Sequence, residues 1–256
     1  MSEPTIPEIT SATPGSPAPG LSQMERVLYT FTAPSKTSTD ILRSTNWLVP
    51  FILIVIVSVA FSYAVQTKIG WAKTYDNMAR MNPKAQEKMA EMPPEQQASI
   101  RQVSIKGTAI SSYAGSIIAL IITAIFTLLV WGTINFGFGG TGRFGTIFAV
   151  MMYASLISYV AKYLLAIVAI FAGLAPDNFI LQNPVGTNLG YFLSDSPPWL
   201  MTLGTFIDVL GIWGLIVMVI GCSIVCKVKR GAAAAAVVGW WALFLVIFVG
   251  LAAARG

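Results

Sequence analysis

Five apolar runs dominate the chain, each long enough to cross a bilayer as a helix of about 20 residues. They fall at residues 46–66, 112–135, 144–173, 199–225 and 232–254. Trp47 anchors the first at the interface, and Pro50 lies near its start, where a helix tolerates proline best. The connection 66–112 is polar and mixed in charge. Asn82-Pro83 and Pro93-Pro94 have the form of helix starts there, and Ile100, Val103 and Ile110 form a stripe behind them. This predicts helical extensions standing outside the membrane. The second is expected to run unbroken from Pro94 to Asn135, with Gly107 as its weak point. The segment is too short for a core of its own and is not a catalytic domain.

Ahead of the first run, residues 1–20 are rich in Pro, Ser, Thr and Gly and predict a disordered tail. The segment 21–45 changes character. Ser22 followed by Glu25 is a capping-box pair, and Leu21, Met24, Leu28 and Phe31 recur at helical spacing. An amphipathic helix at the membrane surface is expected, with a second short helical piece after Pro34, around Asp40–Arg43.

Composition agrees with this pattern. Of 256 residues, 55% are hydrophobic and 11% charged, against about 25% charged in soluble domains, and the mean hydropathy is +0.70. An ordinary soluble enzyme, a disordered protein and a disulfide-rich secreted domain are excluded. The fold class is an all-α membrane protein, a five-helix transmembrane bundle with a helical extension between its first two spans. The chain has no histidine, which removes His-based triads and zinc sites. Cys222 and Cys226 are too few for a disulfide framework or a cysteine metal cage. The glycine-rich stretch 137–142 lacks the lysine and strand context of a phosphate loop and reads as a tight turn. No catalytic, cofactor-binding or metal-binding residue is assigned.

Charge sets the expected surroundings. A net charge of +5 is too small and scattered for nucleic acid and fits loops that face a bilayer. Lys227, Lys229 and Arg230 crowd the fourth connection, whereas 174–198 contains no Lys or Arg. That contrast predicts a cytoplasmic N-terminus, although the first connection, with seven Lys/Arg, would then face outward.

Two charges lie inside the apolar runs, Lys162 and Asp208. Each is displaced about 6 Å from the centre of its helix at 1.5 Å per residue. The third and fourth helices run antiparallel, so both displacements point the same way. Small residues near Asp208, Gly204 and Gly211, allow close approach. A direct or water-bridged pair is expected. The alternative has Lys162 reaching to the interface while Asp208 stays protonated against a hydroxyl.

Several short patterns, in order, resemble the YIP family of Ypt/Rab-interacting proteins, and its bacterial members in particular. They are Phe31–Pro34 and Trp47–Pro50 before the first run, Gly139–Phe144 between the second and third, and Asp208–Trp213 and Lys227–Gly231 in the last third. The resemblance marks Pro34, Pro50, Gly139, Gly140 and Trp213 as motif positions. It implies a five-span fold in a bacterial inner membrane, no cofactor, and a scaffolding, membrane-organising or partner-recruiting role toward an unidentified protein or a second copy of the chain. Eukaryotic relatives are implicated in Rab GTPase binding; their acidic-aromatic motif ahead of the first span is not evident here. A small transporter or channel with Lys162 and Asp208 on its path is the other reading.

Overall fold

The computed structural model describes residues 20–255; apart from Gly20, the tail expected over 1–20 lies outside them. Two short helices come first, α1 (Gln23–Thr32) and α2 (Pro34–Ile41). Both halves of the capping box at the start of α1 are present. Pro34, at the first position of α2, turns the chain back so that the two helices form a hairpin. The second helix thus begins well ahead of the expected 40–43. Then comes the first long apolar helix, α3 (Leu48–Lys68), with Pro50 buried in its opening turn.

The polar connection folds into α4 (Trp71–Arg80), α5 (Pro83–Ala90) and α6 (Pro94–Tyr113). Asn82 caps α5 and proline opens both α5 and α6. Arg101 of α6 grips Asp76 of α4 at 2.7 Å, and the hydroxyls of Ser112 and Ser62 meet at 2.8 Å. The helix expected over 94–135 is interrupted, though not at Gly107. Ala114 (ψ −4°) ends α6, and α7 (Gly115–Gly132) begins at once. With its bonding shifted there to a tighter turn, the chain stays nearly continuous. A π-turn, Thr133–Gly137, closes this second apolar helix.

The third comprises α8 (Phe144–Leu156), a π-turn at Ile157–Ala161, and α9 (Lys162–Phe171). Every side chain from Thr146 to Leu156 is buried, so α8 is the central post of the bundle. The fourth predicted run divides into α10 (Pro198–Phe206) and α11 (Val209–Val225), interrupted at Ile207 and Asp208. The single helix expected over 199–225 therefore does not form, because Asp208 caps a new helix instead of continuing the old one. The last helix, α12, runs Arg230–Arg255.

Four helices are thus long and apolar enough to cross a membrane, and α11 is a shorter apolar fifth. The protein is an all-α membrane bundle. Its main core joins α8 to Ile41, Ile54, Val130, Cys222 and Val237, drawing on α2, α3, α7, α11 and α12. Cys222 and Cys226 are free and buried.

Three of the positions marked by the resemblance sit in constrained surroundings. Gly139 has φ +67°, a conformation that suits glycine. A Cβ on Gly140 would stand 2.6 Å from a methyl of Ile134. Asn135 locks the same turn by donating to the Gly142 carbonyl at 2.7 Å and accepting from its amide at 3.1 Å. Trp213 packs among Ala154, Ile157 and Val217.

Candidate functional site

The interruption between α10 and α11 is where the apolar interior carries charge. Asp208 is the N-cap of α11. Its Oδ1 accepts from the amides of Leu210 (2.9 Å) and Gly211 (3.2 Å), so its charge also faces the positive end of that helix. Its Oδ2 faces Lys162 Nζ at 2.6 Å and accepts from the Thr187 hydroxyl at 3.2 Å. The two charged side chains are 17% and 9% exposed. Lys162 opens α9 directly after the π-turn at Ile157–Ala161. The structure thus brings Lys162 and Asp208 together, Asp208 reaching its partner from a helix start and not from a helix interior.

A broken helix at membrane depth exposes backbone groups that lipid cannot satisfy. Here the connection 174–197 supplies them. The Leu189 amide donates to the Ile207 carbonyl (3.2 Å), and the Val209 amide donates to Thr187 (3.0 Å). Gly190 and Gly204 let this connection lie directly on α10: a Cβ on Gly204 would come 2.7 Å from the Gly190 nitrogen. Asn183 donates to the Thr205 hydroxyl at 2.9 Å. Asn77 of α4 pins the start of the connection by donating to the carbonyls of Pro176 and Phe179, both at 2.8 Å.

Beside the pair lies a cavity of about 460 Å³, walled by Tyr159, Tyr163, Phe206 and Trp241. Two buried atoms of the adjoining connection, Asn183 Oδ1 and Asn188 Nδ2, have no hydrogen-bond partner. Sequence reasoning missed Thr187, Asn183 and Asn188. The chain offered one signal for the break: an aspartate just ahead of an apolar helical run is also an N-cap pattern.

A second polar constellation holds the α1–α2 hairpin. Arg26 is fully buried. Its Nε donates to Asp40 Oδ2 at 2.5 Å, Nη1 to the Ser44 carbonyl at 2.8 Å and Nη2 to the Asp40 carbonyl at 3.1 Å. Burial works against the ionised Asp40 carboxylate, but hydrogen bonds from Arg43, Arg26 and the Leu21 amide outweigh it and hold its pKa below the usual range. The hairpin so fixed seats against the bundle. Ile41 joins the main core, and the Tyr153 hydroxyl donates to Gln23 at 2.8 Å. Met24 and Leu28 point outward, 65% and 58% exposed.

No curated protein and no solved structure matches the chain. A family model, that of the Yip1 domain, matches residues 28–251, from the middle of α1 almost to the end of α12. The match takes in the second half of α1, α2 and all five apolar helices, the interrupted one among them. The chain is therefore a multi-pass membrane protein that belongs to the Yip1 domain family.

Proposed function

We propose that the chain is a non-enzymatic membrane organiser of a bacterial inner membrane, with its N-terminus cytoplasmic. The observation that carries this reading is the α1–α2 hairpin. It is held in shape by the buried Arg26–Asp40 pair, is docked on one end of the bundle through Ile41 and the Tyr153–Gln23 hydrogen bond, and turns Met24 and Leu28 outward. A hairpin that adds apolar volume beside one leaflet only acts as a wedge in that leaflet. At the other end, α6 displays Val103 and Ile110, both largely exposed, as a face for a protein partner or a second copy of the chain. The orientation rests on charge. The hairpin shares its end of the bundle with the basic turns at Arg143 and Lys227–Arg230, and the connection 174–197 contains no Lys or Arg.

The test is partition of the purified full chain among vesicles of graded diameter. The chain is expected to concentrate in small vesicles, and Met24→Glu/Leu28→Glu, which alters only exposed positions, to lose that preference. Equal density at all diameters would contradict the reading.

A transporter is the second reading, favoured by one specific observation. A buried ion pair, two unpartnered Asn atoms and a cavity gather at a discontinuous helix, a combination suited to a small polar solute. Solute flux into proteoliposomes that is abolished by Lys162→Met would favour it over the first.

A further inference from the structure

At the end of the bundle opposite the ion pair, three segments far apart in sequence converge on one open cavity of about 810 Å³. The α2–α3 link brings Arg43, Ser44 and Thr45. The turn before α8 brings Thr141 and Arg143, and the turn after α11 brings Lys227. No Asp or Glu lines it. Arg43 is engaged on one side by Asp40 at 3.1 Å. Among the described residues, neither Arg143 nor Lys227 has an ion-pair partner.

The three segments are fixed relative to one another. The Thr141 amide donates to the Cys226 carbonyl at 3.1 Å, tying the two turns together. Arg26 holds the Ser44 carbonyl at 2.8 Å, tying the link to the hairpin. Basic side chains and hydroxyls on a prearranged frame suit a tetrahedral oxyanion, which accepts from several donors at once. The volume lies within the range of small-molecule sites.

The geometry points to a binding site for a phosphate group, supplied by an anionic phospholipid headgroup. The source is argued from what adjoins the cavity. Apolar Leu42 and Val225 share the lining, and exposed Phe144 follows Arg143 directly. The first long apolar helix begins at Leu48, three residues after Thr45. A headgroup held here has acyl chains beside exposed Phe144 and the exposed apolar flank of α3, Leu48 and Ile52, whereas a free anion gains nothing from that flank. Basic pockets between membrane helices recognise anionic headgroups by this combination.

The experiment uses the full chain in nanodiscs of equal phosphatidylcholine and phosphatidylglycerol, with native mass spectrometry reading the lipid retained on the protein. Wild type is expected to retain phosphatidylglycerol preferentially. Arg143→Gln and Lys227→Gln should each weaken the preference about fivefold, the effect of one basic residue at a membrane surface. Lys84→Gln/Lys88→Gln removes two charges from the opposite end and should leave it intact. No preference in wild type, which needs no variant to fold, overturns the proposal, as does an equal loss in the Lys84/Lys88 variant. Millimolar inorganic phosphate forms a separate arm. If it displaces the retained lipid and raises the melting temperature in neutral nanodiscs as much as phosphatidylglycerol does, the ligand is a free anion and the lipid assignment fails.

Discussion

Asp208 answers three demands with one carboxylate: it caps a helix, neutralises a lysine and accepts from a threonine. Removing Lys162 strands that charge, and breaking a buried pair from one side costs about 3–5 kcal/mol. Lys162→Met is therefore expected to lower the unfolding midpoint in detergent sharply. Adding Asp208→Asn, which keeps the capping oxygen but removes the charge, should recover part of the loss. Strictly additive losses in that cycle would show that the two residues do not depend on each other. Asp40 makes a pH-dependent counterpart. The docked hairpin favours its ionised form, so this contribution is complete above the ordinary carboxylate range and is lost as pH falls through the lower folded value. Amide protection in α1 is expected to persist at neutral pH and to drop below about pH 4. Arg26→Gln should produce the same loss at neutral pH. Much of this scale was legible in the chain. Lys162 and Asp208 stood out because charge inside an apolar run calls for a partner. Arg26 and Asp40 did not, since in amphipathic helices charge is the ordinary content of the solvated face.

Helix boundaries followed the chain where capping chemistry is local. Ser22 with Glu25, Asn82 before Pro83, and Pro94 each start the helix they announce. The breaks at Ala114 and Asp208 are of another kind. Apolar residues flank Asp208, so hydropathy runs straight across it, and only the connection 174–197, distant in the linear pattern, makes the break tolerable. Glycine shows the same division. Gly107 looked like a point of weakness, yet α6 passes through it intact and a Cβ there meets nothing within 4 Å. Gly107→Ala is expected to stabilise the protein by about 0.5–1 kcal/mol, read as a raised melting temperature. Gly140→Ala should do the reverse by about 1–3 kcal/mol, because its Cβ would press on Ile134 and on the Asn135 side chain that locks the turn.

At the scale of the whole molecule, the basic turns gather at the end that carries the hairpin. If that end is cytoplasmic, a thiol placed by Lys229→Cys should react with an impermeant reagent only after the membrane is opened, and one placed by Lys84→Cys should react from outside. Cys222→Ala/Cys226→Ala provides the background, and the opposite pattern would invert the proposed topology. Five apolar helical regions and their order were visible as apolar runs; the seat of the hairpin was not, since it depends on which faces of α8 and α11 remain open after the bundle has packed. That seat also has a consequence in time. Residues 23–41 precede in synthesis the helices that receive them, since α8 begins at Phe144 and α11 ends at Val225. At about 5–20 residues per second, the hairpin waits roughly ten seconds or longer for its site to exist. Through that interval the side chains that the bundle later covers, Val27, Phe31 and Ile41, stand without their final partners, and the membrane surface offers them apolar cover. Docking is then a completion step, which turns a chain loosely tethered at its N-terminal end into a closed one. A chain halted before Val209 should leave the 20–47 region open to protease, and the finished chain should protect it.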